Sequence, residues 1–283
     1  MDYFLFFVLL LILIYLIYFI HLNNTVIEKN YCKIIEDNLP DNFNGFRILH
    51  ISDFHNVVYR NNNHDLINDI QNLKPDCIFF TGDMIDSRHL NLDVAKKFAQ
   101  ELVKIAPVYF VTGNHEGRFS LKEYKQFLND LCEIGFNIIN NRKIKIQKNN
   151  QTINIYGLED PRIKSEDDNR KLDKMILNKQ LEQFAIDSNE FNILLSHRPE
   201  HFDLYSQYNF DIIFSGHAHG GQIRLPLIGP LYAPNQGLFP KYTTGIYSNG
   251  ISKMVVNRGS GPSRFPVRFN NHPEIILVQL YRK

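Results

Sequence analysis

The chain has 283 residues, 44% hydrophobic and 22% charged, enough for one large domain or two small ones around a sizeable core. Its 31 Lys and Arg balance 30 Asp and Glu to a formal charge of +1, without the basic excess of a nucleic-acid-binding surface, so no nucleic acid is expected as a partner. Three cysteines, Cys32, Cys77 and Cys132, argue by odd number and spacing against a disulfide framework and a thiolate zinc site. Cys77 and Cys132 read as small buried hydrophobes.

The first segment, Tyr3 to Ile20, reads YFLFFVLLLILIYLIYFI, without a charge or a proline. At about 1.5 Å per residue it is just long enough to cross a hydrocarbon core. A buried core helix and a cleaved signal peptide are the alternatives. No Lys or Arg precedes the run and no small-x-small site follows it, so residues 1–22 are expected to be a retained single-pass anchor. Lys29 and Lys33 follow the helix and Asp2 precedes it; the positive-inside rule then puts the body on the cytoplasmic face, but two lysines leave either face open.

Residues 23–45 read as a tether carrying one strand, Val26–Ile35, and a turn at Asp41–Gly45. A domain over 46–283 follows. Strands are expected at Arg47–Ile51, Cys77–Thr81 and Val108–Thr112, with helices at His64–Leu73, Leu92–Ile105 and Leu121–Ile134, the last ended by Gly135. Next come strands at Asn137–Ile139, Lys143–Gln147 and Thr152–Leu158, a charged loop at Pro161–Asn169 and a helix at Lys171–Ala185. Strands Phe191–Leu195, Asp211–Phe214, Lys253–Val256 and Glu274–Leu280 complete the chain. Strand-helix alternation early and more antiparallel strand later make an α/β protein.

Five polar clusters fall where apolar strands stop: Asp53-Phe54-His55, Gly82-Asp83, Gly113-Asn114-His115-Glu116, Ser196-His197 and Gly216-His217-Ala218-His219. In open α/β sheets ligands bind beyond the carboxyl ends of strands, so the clusters are expected on one rim. They offer two Asp, one Asn and five of the 11 His. Nitrogen and oxygen ligands without thiolate favour Mn, Fe, Zn, Co or Mg in a hydrolytic site over a structural zinc. Each cluster alone is weak; their conjunction is specific.

In this order the clusters resemble the calcineurin-like metallophosphoesterases, whose pattern is D-x-H, G-D, G-N-H-D/E, a His, then G-H-x-H. The resemblance covers Phe46 to the C-terminus. Gly220-Gly221-Gln222, the Pro226–Pro230 loop, Tyr242, Gly245, Val256-Asn257-Arg258-Gly259 and Pro273-Glu274-Ile275 are similar to its membrane-anchored bacterial branch, which includes phosphodiesterases resembling those acting on UDP-2,3-diacylglucosamine. It implies a β-sandwich flanked by helices in α-β-β-α layers, after one N-terminal transmembrane helix. It also implies two divalent ions, one held by Asp53, His55, Asp83 and His219, the other by Asp83, Asn114, His197 and His217. His115 remains to stabilise the phosphoryl group or protonate the leaving oxygen. Glu116, where many relatives have Asp, falls outside the ligand set.

The implied activity is hydrolysis of a phosphodiester, phosphomonoester or pyrophosphate by metal-activated hydroxide. Lipid-linked and nucleotide-sugar esters are among the substrates it admits. A nuclease or cyclic-nucleotide phosphodiesterase is the alternative within hydrolases, and a non-catalytic metal-binding scaffold the alternative outside them. Arg258 and Arg264 are candidates for a second phosphate, with a solvated loop as the plainer reading. Phe239, Tyr242 and Phe265 could form an apolar lip, against ordinary packing.

Overall fold

The computed structural model, described for residues 2–165, 169–263 and 267–283, contains two six-stranded sheets. The first half runs α1 (Asp2–Thr25), β1 (Glu28–Glu36), β2 (Arg47–Ile51), α2 (His64–Asn72), β3 (Cys77–Thr81), α3 (Leu92–Ile105), β4 (Val108–Val111), α4 (Leu121–Ile134) and β5 (Asn137–Ile138). Then come β6 (Arg142–Lys148), β7 (Gln151–Gly157), α5 (Arg170–Leu181), β8 (Asn192–Leu195), α6 (Phe202–Tyr205) and β9 (Ile212–Ser215). Two small hairpins follow, β10 (Arg224–Leu225) with β11 (Gly229–Pro230) and β12 (Tyr232–Ala233) with β13 (Gly237–Leu238). The chain closes with β14 (Gly245–Asn249), β15 (Ser252–Val256) and β16 (Glu274–Arg282).

Strand order is β1-β16-β2-β3-β4-β5 in one sheet and β14-β15-β9-β8-β7-β6 in the other. In the second sheet only the edge pairs β14–β15 and β6–β7 are antiparallel. The antiparallel strand expected in the second half falls at these two edges, in the two hairpins and where β16 joins β2. α5 and α6 link β7 to β8 and β8 to β9, and such crossovers return the chain parallel.

Alternation along the strands sorts the core into three layers. Ile48, Phe79, Ile193, Leu195, Ile212 and Phe214 point into the space between the sheets. Their neighbours Leu49, Ile78 and Phe80 face the other way and pack with Leu66, Phe98 and Phe127 of α2, α3 and α4. Leu194 and Ile213 face outwards from the second sheet against Leu177 of α5 and Phe202 of α6. The layers are α-β-β-α, as the resemblance implied.

Local signals explain the helix ends. Ser120 caps α4 by accepting the Glu123 N–H, and Gly135 ends it with φ of +116°, its N–H bonded back to Leu131 and Cys132. Tyr124, Phe127 and Leu131 form the buried stripe of α4. Cys132 falls one position past that stripe and is exposed, contrary to the expectation that it is buried.

α1 is solvent-facing along most of its length and meets the body only through its last turns, which removes the core-helix alternative. Phe19 packs edge-on against Phe269 with ring centroids 5.2 Å apart. The Arg268 and Asn271 N–H groups donate to the side-chain oxygens of Asn24 and Asn23, each at 3.0 Å. β1, in the stretch read as a tether, pairs along all nine residues with β16.

Candidate metal centre

β2, β3, β4, β8 and β9 each run into one of the five clusters, and the two sheets present those ends at one rim. Asp53, His55, Asp83, His217 and His219 all adopt positive φ, between +45° and +65°. Left-handed backbone in a non-glycine residue costs about 1–3 kcal/mol each and persists only where surrounding contacts enforce it. Here the contacts are cross-loop: Asp53 N–H donates to Gly82 O, His55 N–H to Asp83 O and His217 N–H to the Asp53 carboxylate. Gly82 is required sterically, since a Cβ there would lie 2.6 Å from Gly113 N and 2.7 Å from His197 Nδ1.

All eight predicted residues come together, and all but Asn114 are buried. His219 Nε2 is 3.3 Å from Asp53 Oδ1 and 3.3 Å from His55 Nε2. Asp83 Oδ2 is 3.7 Å from His55 Nε2 and 3.4 Å from His197 Nε2, so one carboxylate oxygen faces both groups. His197 Nε2 also lies 3.1 Å from Asn114 Oδ1 and 3.1 Å from His217 Nδ1.

The tautomers turn these approaches into a test for a cation. His55 Nδ1 faces Ile85 O at 3.2 Å and His197 Nδ1 faces Thr81 O at 2.7 Å, so each ring hydrogen goes to a carbonyl. The Nε2 lone pairs are left facing carboxylate, amide and imidazole acceptors. Such a set is repulsive unless a cation or proton lies within it. Burial lowers His55 and His217 to about 3, which keeps them neutral and ligand-ready. With no cation present a proton takes that place on His197: burial opposes its charge, but Asp83 and Asp53 override the opposition and drive it up to about 10. Burial raises Asp53 to about 6, whereas for Asp83 the surrounding His197 and His115 outweigh burial and hold it well below the usual range. A buried negative pocket with N and O donors fits divalent metal. Asp53, His55 and His219 form one possible cluster, and Asp83, His197 and His217 another.

Two buried residues organise this site and carried little sequence signal. Glu116 accepts the N–H groups of Asp83 (3.0 Å), Met84 (2.8 Å) and Gly113 (2.7 Å), tying the β3 and β4 loops together. Glu116→Ala is expected to cost about 2–4 kcal/mol by leaving buried N–H groups unpaired, seen as a lower urea midpoint at unchanged m-value. Arg198, next to His197, pairs with Asp160 through Nε–Oδ2 at 2.8 Å and Nη2–Oδ1 at 3.0 Å, and with Asp173 at 3.0 Å. Only its place beside a predicted site histidine could have flagged it.

A cavity of roughly 700 Å³ opens over the cluster, lined by Asp83, Asn114, His115, His217 and His219 together with Arg88, Arg118 and Arg162. Arg258, a candidate for a second phosphate, instead pairs with Glu28 (2.5 Å) and Glu274 (2.8 Å) and braces β1 against β16. Tyr242 is buried between Phe202 and Tyr247, as in ordinary packing, whereas Phe239 is exposed. Arg264 and Phe265 lie outside the described residues.

Fold and site define a metal-dependent phosphoester hydrolase. The chain belongs to the calcineurin-like phosphoesterase family, whose family model matches residues 46–221. It is 30% identical over 270 residues to the uncharacterized metallophosphoesterase YkuE of Bacillus subtilis, across 92% of this chain and 87% of that protein. It is 26% identical over 245 residues to phosphodiesterase YaeI of Escherichia coli, across 85% and 84%. A transmembrane protein with a metallophosphoesterase domain from Danio rerio is 26% identical over 252 residues, across 86% of this chain and 55% of that protein.

Proposed function

We propose that the chain is a membrane-anchored, two-metal phosphoesterase. Asp53, His55, Asp83 and His219 hold one divalent ion, and Asp83, Asn114, His197 and His217 hold the other. The observation that carries this is Asp83 Oδ2, which faces His55 Nε2 and His197 Nε2 at 3.7 and 3.4 Å. Metal bound there supplies Lewis acidity toward the phosphoryl oxygens and acidifies the attacking water. α1 supports the anchor, and its position at the N-terminus also suits a signal sequence. The name of the Escherichia coli relative supports a diester substrate, and the arginines lining the cavity suit an ester with a further anionic group, such as a lipid-linked or nucleotide-sugar phosphate.

His115 is the proton donor to the leaving oxygen. His115 Nδ1 is held between the Ser87 N–H at 3.1 Å and Asp86 Oδ1 at 3.3 Å, which fixes the ring with Nε2 turned toward the centre. Nε2 lies 4.0 Å from Asp83 Oδ2, and the residue lines the cavity. His115→Ala is expected to keep its metal content and lose about 10²–10³-fold in kcat. Metal analysis of the full-length protein, coupled to turnover of paired monoester and diester substrates before and after chelation, tests the whole reading. Absence of turnover of either ester after metal is restored would sink it.

A further inference from the structure

α1 leaves the body at the rim that carries the candidate metal centre. β16 is antiparallel to β2 with Ile276 opposite His50, so Glu274 lies at the carboxyl end of β2, where Asp53 and His55 follow. β1 is parallel to β16 with Glu28 opposite Glu274, and α1 ends at Thr25, so the helix exits at that same rim. The segment on which its last turns dock also touches the centre: Asn271 Nδ2 donates to His219 O at 2.8 Å.

That segment also supports the two hairpins β10–β13. Arg224 N–H donates to Phe269 O at 3.0 Å, and Phe269 N–H to Gln222 O at 3.4 Å. At the first hairpin's tip Leu227 is fully exposed with φ of +67°, and Ile228 is more than half exposed. Leu238, at the end of β13, and Phe239, just past it, are also largely exposed. Large apolar side chains concentrated this way mark a contact surface. From 222 to 240 the chain carries Arg224 as its one charged residue, so no acidic group there opposes an anionic surface. The same lobe lines the cavity at Tyr232 and Asn235, the latter in the turn of the second hairpin with Oδ1 2.9 Å from His217 Nε2.

We propose that the β10–β13 lobe rests on the bilayer with Leu227 and Ile228 in its interfacial layer, so that the cavity opens onto the membrane surface and takes phosphate esters held there. This rests on the reading of α1 as an anchor. Phe19, near the end of the apolar run, packs on Phe269 at the base of the lobe. The tip lies three to four residues beyond Arg224, about 10 Å at about 3.3 Å per residue, comparable to the depth at which interfacial segments insert. The bilayer is thus the occupant that continuity with the anchor selects.

The chain has no tryptophan, so Leu227→Trp and Ile228→Trp each introduce a sole reporter. Ile251→Trp is the control: Ile251 is exposed and sits at the amino end of β15, on the opposite rim. Full-length variants are reconstituted in phosphatidylethanolamine/phosphatidylglycerol vesicles with and without chain-brominated lipid. Quenching at 227 and 228 but not at 251 is expected. An unquenched tip in protein that still floats with vesicles overturns the lobe contact and spares the anchor; failure to float removes the anchor reading itself. Blue-shifted emission that rises with protein concentration and resists bromolipid would assign the tip to a second copy of this chain and overturn the proposal. In a second arm, Leu227→Asp/Ile228→Asp is expected to turn over bis(4-nitrophenyl) phosphate within about twofold of the parent and a vesicle-embedded phosphodiester at least about tenfold more slowly. Equal rates on the vesicle substrate would overturn it.

Discussion

Asp83→Asn is expected to abolish measurable turnover while leaving the fold intact. Asp83 Oδ1 accepts the His115 N–H at 2.8 Å, and an Asn side-chain oxygen can keep that bond. Asn also tolerates the positive φ of +55° at this position. What changes is Oδ2, the oxygen facing His55 and His197, replaced by an NH₂ that cannot ligate and pushes a hydrogen toward them. Loss of several kcal/mol of transition-state stabilisation corresponds to about 10³-fold or more in kcat. The check is a near-native far-UV spectrum and urea midpoint beside reduced metal content and absent turnover. Full activity with full metal loading would remove Asp83 from the centre.

Arg198→Met is expected to be the most destabilising single change, at about 3–5 kcal/mol, because it leaves buried carboxylates without their cation. Asp160, Asp173 and Glu200 are all nearly inaccessible around the guanidinium, with Glu200 Oε1 at 3.8 Å. Burial alone would raise the Asp160 carboxyl, but Arg198 reverses this and holds it below its usual value. Without Arg198 the folded pKa of these carboxyls lies above the unfolded value, so the folded state binds more protons. The deficit is then full at neutral pH and shrinks as pH falls toward about 4, where the unfolded carboxyls also protonate. Denaturation of parent and variant at pH 7.5 and 5 reads this directly; a deficit that grows with acid would refute the assignment. Lys at 198 cannot reproduce the two-point contact with Asp160 and is expected to recover only part of the loss.

Local chemistry explains which elements were legible. Strands Arg47–Ile51 and Cys77–Thr81 and helices Leu92–Ile105 and Leu121–Ile134 fall on the residues expected from apolar periodicity and capping. The two-residue strands β10–β13 and the edge strand β14 were not read, because their half-exposed residues carry no periodic pattern. Glu116 was placed outside the ligand set by motif, yet its buried carboxylate binds N–H groups from both sides of the site. That role needs the β3 and β4 loops in contact, which residue types alone do not state.

The sequence by itself determined the α/β alternation, the apolar first helix and which side chains end the strands, since these depend on residue type and short-range spacing; the two-sheet class came only with the family that the ordered clusters resemble. Only the tertiary structure decided that Asp53, His55, Asp83, His217 and His219 take left-handed backbone, that Arg258 braces β1 while Arg198 sits among buried acids, and that α1 leaves at the rim of the candidate metal centre. Each of these follows from pairings distant in sequence, above all Glu28 opposite Glu274. Propensity cannot encode such contacts, because their free energy exists only once both sheets have assembled.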